Sequence, residues 1–297
     1  MRPMERKDVV LRALTKNEEA RILVIESTAL VEQSRLTHRS SPLASVALGR
    51  ALTAASMMGL LNKGEGDQVS LQIRGDGPLK SLLAVATPEG KVKGYAGNNQ
   101  AALPSAYPNP LSVGAGIGRG SLTVIRDMGL KEPYLSTIDL VDGEIGDDLA
   151  YYYAQSEQVK SAIGLGVNLN PDGSVRFAGG FLIQLLPQAS EATIKAIEAN
   201  LKAMPSLEEA TKSYGPEGLL ASLTNGLEFQ ILSQVEPKLV CDCSRERGER
   251  ILLSLGKEEL SKMAEEGQEV KLHCSFCEKD YAYTPEEIKK LAAGLGR

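Results

Sequence analysis

The chain has 297 residues and a formal net charge of -5. An acidic chain is not attracted to nucleic-acid phosphates or to an anionic membrane surface, so we expect neither as a partner. No run of about 18 consecutive apolar residues occurs, and the first 30 residues lack the apolar stretch of a signal peptide, which predicts a cytoplasmic protein.

A chain of this length favours more than one domain, and residues 1–187 are predicted to form a mixed α+β domain. Runs of apolar and β-branched residues predict strands over 9–14 and 21–26. Ser41, followed by proline, has the character of a helix N-cap, and apolar residues then recur at helical spacing up to Gly64. We therefore expect a long helix at the centre of this domain.

Alternating segments after the long helix predict an antiparallel sheet. Residues 69–73, 82–86 and 92–96 alternate between apolar and polar types, and Gly, Asp and Pro lie between them. The remaining predicted elements are a strand at 121–126, a helix at 147–158, and strands at 163–169 and 175–186. Together these segments indicate the α+β class.

Residues 188–240 are predicted to form a helical, metastable linker. Ser190 is a candidate N-cap, Ser206 and Glu209 form a candidate capping box, and Pro216 opens a further short helix. Each predicted helix is shorter than about 15 residues, so none is stable alone in water and each needs a surface to pack on. We expect the linker to fold only conditionally.

The last 57 residues, 241–297, carry every cysteine of the chain and are predicted to form a small domain of three short helices. The cysteines form two close pairs, Cys241-x-Cys243 and Cys274-x-x-Cys277. Four thiolates complete the tetrahedral coordination of Zn2+ and leave no open position, so we predict one closed zinc site per chain without a catalytic water. His273 is excluded from the ligand set because the four cysteines fill it.

Spacing and energetics favour a redox switch over a permanent zinc site. Two sulfurs as close in sequence as those of Cys-x-Cys can form a strained disulfide, which belongs to the reducible, regulatory class. Structural Zn2+ contributes about 10–16 kcal/mol of apparent binding energy, whereas a domain of this size has a net stability of only ~3–9 kcal/mol. Loss of the metal should therefore unfold the domain. The linker helices would then loosen and expose the apolar side chains Ile194, Ile197, Leu201, Leu219 and Leu220.

Three other interpretations of the cysteine pattern stay open. Zinc can be a permanent structural staple, as in most four-cysteine sites. A zinc ribbon that binds nucleic acid is a second alternative, although residues 241–297 hold 10 Lys and Arg against 12 Asp and Glu without a basic stripe. A thiol-disulfide oxidoreductase is a third, but the thioredoxin-like βαβ pattern is absent and one cysteine pair would have no role.

Several further stretches carry a family resemblance. They are 47–54 (ALGRALTA), 72–79 (QIRGDGPL), 121–127 (SLTVIRD), 143–149 (GEIGDDL), 156–159 (SEQV), the Cys-x-Cys-Ser motif with Glu246-Arg247, Leu255-Gly256, and Phe276-Cys277 with Tyr281. With these stretches, the whole chain resembles the bacterial redox-regulated heat-shock chaperones of thirty-three kilodaltons, a family of zinc-binding holdases. No cysteine of the family pattern is missing.

The resemblance implies a mechanism and a set of partners. It implies an inactive, reduced, zinc-loaded monomer that loses zinc under oxidative stress and forms two disulfides, Cys241-Cys243 and Cys274-Cys277. The linker then unfolds, and the N-terminal domain mediates homodimerisation and binds unfolding client proteins. The family is not enzymatic and uses no ATP, which agrees with the absence of a Walker-type phosphate loop from this sequence.

Overall fold

The protein is described by a computed structural model over residues 7–62, 64–212 and 214–295. Its strands are β1 (Val9–Thr15), β2 (Ala20–Glu26), β3 (Gln68–Gly75), β4 (Ser81–Ala86), β5 (Lys91–Ala96), β6 (Gly120–Asp127), β7 (Tyr134–Asp139), β8 (Ser161–Leu169), β9 (Val175–Leu185), β10 (Phe229–Val235), β11 (Lys238–Leu239), β12 (Val270–Cys274) and β13 (Lys279–Tyr283). Its helices are α1 (Thr28–His38), α2 (Pro42–Gly59), α3 (Val113–Ile117), α4 (Gly146–Tyr152), α5 (Glu191–Ala203), α6 (Leu207–Lys212), α7 (Gly215–Leu223), α8 (Arg245–Leu253), α9 (Lys257–Glu265) and α10 (Pro285–Gly294), with a π-helical turn at Tyr153–Glu157.

The chain divides into two compact units, one that extends to Val240 and one that begins at Cys241. The first unit contains sheet A, of strand order β10-β1-β2-β9-β8, and sheet B, of order β11-β5-β4-β3-β6-β7. Sheet A is antiparallel throughout, and in sheet B only the short β11 runs parallel to its neighbour, β5. The α+β class is confirmed. None of the described helices has the length and apolar character needed to cross a membrane.

Helix α2 forms the centre of the first unit. It starts where the sequence predicts, because the Ser41 hydroxyl accepts a hydrogen bond from the Ala44 amide at 3.3 Å and proline occupies the first helical position. The prediction that it reaches Gly64 was wrong, since the helix ends at Gly59. There a Cβ would lie 2.9 Å from the Thr87 carbonyl oxygen, so only glycine allows this close approach.

Sheet A is covered on both faces. Its inner face, with Val10, Leu23 and Ile25, belongs to a large buried cluster that also contains α2 and the apolar side of sheet B. Its outer face belongs to a separate cluster, to which the sheet contributes Leu11, Ala13, Ala20, Ile22, Val24, Phe181 and Ile183. The cover of the outer face comes from residues 188–240.

The segment 188–240 contains the three predicted helices, α5, α6 and α7. Ser190 caps α5 by accepting a hydrogen bond from the Thr193 amide, and Ser206 accepts one from the Glu209 amide at the start of α6, each at 3.3 Å. The segment also contains two strands that the sequence did not predict. These are β10, which pairs with β1, and β11, which pairs with β5.

The second unit contains α8, α9 and α10 around the β12–β13 hairpin. The three helices agree with the sequence prediction, whereas the hairpin was missed. Thr284 and Glu287 form a capping box at α10, in which each side chain accepts a hydrogen bond from the other's backbone amide. The buried apolar cluster of the unit's described residues consists of Leu252, Leu260, Tyr283, Ile288 and Ala292.

Candidate metal centre

Two short segments of the second unit carry the cysteines. Cys241 and Cys243 lie in the irregular stretch just before α8, whose first turn is capped by the hydroxyl of Ser244. Cys274 is the last residue of β12, and Cys277 lies in the hairpin turn that follows. The amide of Cys277 donates to the Cys274 carbonyl at 3.2 Å, which brings both sulfurs of this pair to the same side of the turn.

The four sulfur atoms form one cluster. The Sγ atoms of Cys241 and Cys274 are 3.6 Å apart, those of Cys243 and Cys277 are 3.3 Å apart, and all four lie within 4.8 Å of one another. A tetrahedral ion with metal–sulfur bonds of about 2.3 Å requires sulfur–sulfur separations of ~3.8 Å. The four thiols are free and partly buried, so the residues present fit a closed four-thiolate metal site.

The surroundings of each sulfur set its proton affinity. Burial raises the pKa of the Cys241 and Cys277 thiols. Burial also acts on Cys243, but hydrogen bonds from Tyr281 and the neighbouring thiols outweigh it and lower the pKa of Cys243 to about 7. Because only a thiolate binds a metal ion, a large ionised fraction of Cys243 near neutral pH favours metal binding.

Tyr281 is a site residue that sequence reasoning noted only as part of the family pattern. Its hydroxyl oxygen lies 3.1 Å from Sγ of Cys243, and this hydrogen bond raises the pKa of Tyr281 to about 12. The residue lies on β13, paired with Leu272 on β12. The sequence signal that could have indicated Tyr281 is its spacing of two residues from Tyr283, because alternate residues of a strand lie on the same face.

Arg245 connects the first cysteine pair to the hairpin and to α10. Its guanidinium donates to the Ala282 carbonyl at 2.7 Å and to the Glu287 carboxylate at 2.6 Å, and it stacks 4.4 Å from the centre of the Tyr283 ring. The Tyr283 hydroxyl donates back to the Arg245 carbonyl at 2.8 Å. This network holds the backbone two residues beyond Cys243.

His273 is not part of the sulfur cluster. Its Nδ1 is 2.8 Å from the Asp280 carboxylate, and its Nε2 is 3.2 Å from that of Glu278. The hydrogen bond to Asp280 raises the pKa of His273 above its usual value. The ring therefore interacts with carboxylates and adds no nitrogen ligand.

Comparison with known proteins identifies the chain. The family described as Hsp33 protein matches residues 8–284, nearly the whole sequence. The chain belongs to the Hsp33 family. Hsp33 proteins are chaperones rather than enzymes, so this chain is a chaperone whose partners are other proteins.

Similar proteins share both length and fold with this Hsp33 chain. The 33 kDa chaperonin of Thermoanaerobacter sp. (strain X514) is 42% identical over 287 residues, which cover 96% of this chain and 98% of the relative. The 33 kDa chaperonin of Clostridium tetani (strain Massachusetts / E88) is 42% identical, with 96% of this chain and 97% of the relative covered. The crystal structure of the Hsp33 homologue of Thermotoga maritima matches with a TM-score of 0.88 at 33% identity, covering 97% of this chain and 99% of that one.

Proposed function

We propose that this chaperone is an ATP-independent holdase that is switched on by oxidation of Cys241, Cys243, Cys274 and Cys277. The observation that carries the proposal is the clustering of all four sulfur atoms within 4.8 Å of one another. Four sulfurs in this arrangement can either share one metal ion or be converted into disulfides. The two states are mutually exclusive, which is the requirement for a switch.

The proposed metal is one Zn2+ per chain. A tetrahedral set of four thiolates suits zinc, and the ion has no redox chemistry of its own, so oxidation acts on the sulfurs. When bound, zinc holds the four thiolates together and thereby holds the segment before α8 against the hairpin turn. A thiolate centre of this kind persists in a reducing compartment, so the proposal places the protein in the cytoplasm.

Oxidation removes the ligands. Formation of each disulfide withdraws two electrons from two cysteine sulfurs, and one equivalent of peroxide accepts them and is reduced to water. The family resemblance supports the pairs Cys241-Cys243 and Cys274-Cys277. The sulfur pairs at 3.6 and 3.3 Å join opposite segments instead. We therefore propose that these disulfides form as the cluster opens. The chain between the two cysteines of each motif is short, so their sulfurs then meet most readily.

Loss of the four thiolates should unfold the second unit. Its described apolar cluster is small, and a domain of 57 residues has about 3–9 kcal/mol of net stability. Structural zinc contributes ~10–16 kcal/mol, which exceeds that stability. Oxidation at four sulfur atoms is thereby amplified into the unfolding of a whole unit.

The covalent chain transmits this unfolding to the linker, residues 188–240. Strand β11 ends at Leu239, and the Val240 amide still donates to the Val92 carbonyl at 2.9 Å. The next residue is Cys241. Unfolding that begins at the cysteines therefore pulls directly on the last hydrogen bonds that hold the linker to sheet B.

Release of the linker would expose an apolar surface. Ile197 of α5 and Leu219, Leu220 and Leu223 of α7 are buried against the outer face of sheet A. Removal of these helices exposes both their own apolar side chains and the sheet face beneath them. We propose that this surface of residues 1–187 binds unfolding clients, and that the same domain forms the oxidised homodimer.

The test measures bound zinc, free thiols and suppression of client aggregation before and after treatment with peroxide and mild heat. We expect one zinc and four thiols in an inactive monomer, and loss of both in an active dimer. His273→Ala is the matched control, because it leaves the four sulfurs intact and should preserve the switch. Zinc and thiols that survive the oxidant, in a protein that never suppresses aggregation, would refute the proposal.

The same experiment separates the alternatives. Turnover of a model disulfide would identify a thiol-disulfide oxidoreductase. Salt-sensitive binding of the reduced protein to DNA or RNA would identify a zinc ribbon.

A further inference from the structure

The edge strand of sheet A belongs to the linker. Strand β10 pairs antiparallel with β1, from Val10 opposite Val235 to Thr15 opposite Phe229. The other neighbour of β1 is β2. Strand β1 is therefore an interior strand only while the linker is docked, and it becomes the edge of the sheet when β10 leaves.

The side chains of β10 contribute unequally to its attachment to β1. Arg12 lies opposite Ser233 and Ala13 lies opposite Ile231, so Leu232 is an extra residue without a partner on β1. Ile231 and Leu232 remain 48% and 46% exposed. Phe229 and Val235, at the two ends of β10, pack against the apolar clusters. The middle of the strand is therefore held to a large extent by the hydrogen-bond ladder, which does not depend on the identity of the side chains.

The vacated position has the properties of a peptide-binding edge. Without β10, the alternate amide and carbonyl groups of β1 that face away from β2 lose their partners, and unpaired edges of this kind bind other extended chains. Leu11 and Ala13 on the same strand belong to the outer apolar face of sheet A. An incoming segment would gain backbone hydrogen bonds and an adjacent apolar surface together.

The sequence of β10 indicates the chemistry of the segment that fits. The strand FQILSQV carries no charged residue, and one salt bridge beside it, between Lys16 and Glu228 at 2.8 Å, lies at the end of the pairing. Uncharged segments of about this length with a high β propensity are frequent in the buried strands of folded proteins and become exposed as those proteins unfold.

We propose that β10 is an autoinhibitory strand that occupies the position of a client, and that extended, uncharged segments of unfolding proteins pair with β1 after β10 is released. This inference rests on the proposed function, because it requires oxidation to free the linker. It adds a specific mode of recognition, strand addition at β1, to a general apolar surface.

Peptide competition tests strand addition with two probes. One is the peptide of residues 228–236, EFQILSQVE, and the other has the same sequence with N-methyl groups on alternate backbone amides. The methylated peptide keeps every side chain but cannot form the ladder. We expect the unmodified peptide to inhibit client holding by the oxidised protein at least ~10-fold more effectively than the methylated one.

Amide hydrogen exchange supplies an independent measurement on the full-length protein. In the oxidised protein, the β1 amides that face away from β2 should exchange rapidly, and a chemically unfolded client should slow their exchange. The amides of β9, an interior strand of sheet A, are the internal control and should remain slow in every state.

The outcomes distinguish strand addition from the holdase function. Equal inhibition by both peptides, or β1 amides that a client does not protect, would overturn strand addition while the holdase function stands. Concentration-dependent protection of β1 before any client is added would also overturn it, since a second copy of the chain would then occupy the edge. An oxidised protein that never holds a client would instead contradict the proposed function itself.

Discussion

The two units of the chain differ in what holds each of them together. The first has an extensive apolar core around α2 and contains no cysteine. The second combines a small apolar cluster with four sulfur atoms, each of which an oxidant can change. Under the proposed switch, an oxidant acts directly on the unit that carries the thiolates, while the core around α2 in the other unit stays folded.

A second contrast lies within the first unit, between the two faces of sheet A. The inner face is covered by elements of the same core, whereas the outer face is covered by the linker helices. The helices of the outer cover belong to the segment that ends just before Cys241. The inner cover should therefore be permanent and the outer cover removable, and the following substitutions test this division.

The largest effect is expected from Cys277→Ser. Loss of one thiolate should remove the metal, and with it a contribution of ~10–16 kcal/mol to the folding of the second unit. Hydrogen exchange should show that residues 241–295 lose protection while α2 keeps it. Ser275→Ala, two residues away in the same turn, is the control and should bind zinc normally. If the Cys277→Ser protein retained zinc and its second unit stayed protected from exchange, the folding of that unit would not depend on all four thiolates.

Leu219→Ala tests the removable cover of sheet A. Leu219 is fully buried, and truncation of such a residue costs about 2–5 kcal/mol. The linker should detach more readily, so suppression of client aggregation should appear at lower temperature or oxidant concentration. Leu232→Ala is the control, because this half-exposed side chain should contribute less than ~0.5 kcal/mol. An unchanged activation threshold in Leu219→Ala would show that α7 does not control the switch.

Asp8→Asn tests how pH affects the first unit. Burial raises the pKa of Asp8 from 3.8 to about 6, against hydrogen bonds from the Leu30 and Ala29 amides, and the Glu236 carboxylate raises it further. Between these pH values Asp8 is ionised in the unfolded chain but not in the folded one, so its contribution to stability is full below pH ~4 and falls by ~3 kcal/mol as the pH rises to ~6. Denaturant melts of the Asn variant should lack most of this decrease, and an identical pH slope would contradict the assignment.

Tyr281→Phe is expected to have the smallest effect. In the zinc-loaded protein it removes a hydrogen bond to the Cys243 sulfur, so alkylation or oxidation of that sulfur should be ~5-fold faster. Mass-spectrometric mapping of thiol modification measures this rate. Tyr283→Phe is the matched control, because its hydroxyl donates to the Arg245 carbonyl rather than to a sulfur. Equal rates at Cys243 in both variants would exclude a tuning role for Tyr281.

Local signals accounted for most of the helices and strands of the first unit. The N-caps at Ser41 and Ser190 were correctly assigned, because a cap depends on a few adjacent residues. Strand β10 was missed because its stability comes from pairing with β1, more than two hundred residues earlier in the chain. The end of α2 was misplaced: the helix stops at Gly59, where the chain lies close to the Thr87 carbonyl, a neighbour that is distant in sequence.

The sequence by itself determined the α+β class and which four side chains form the sulfur cluster. Thiolate chemistry depends on residue type, so four cysteines in two close pairs were sufficient to indicate a metal centre. Tertiary structure alone decided which surfaces the linker covers, that β10 completes sheet A, and that Tyr281 reaches the Cys243 sulfur. These features arise from contacts between residues far apart in the chain, and such contacts form only when packing brings the segments together.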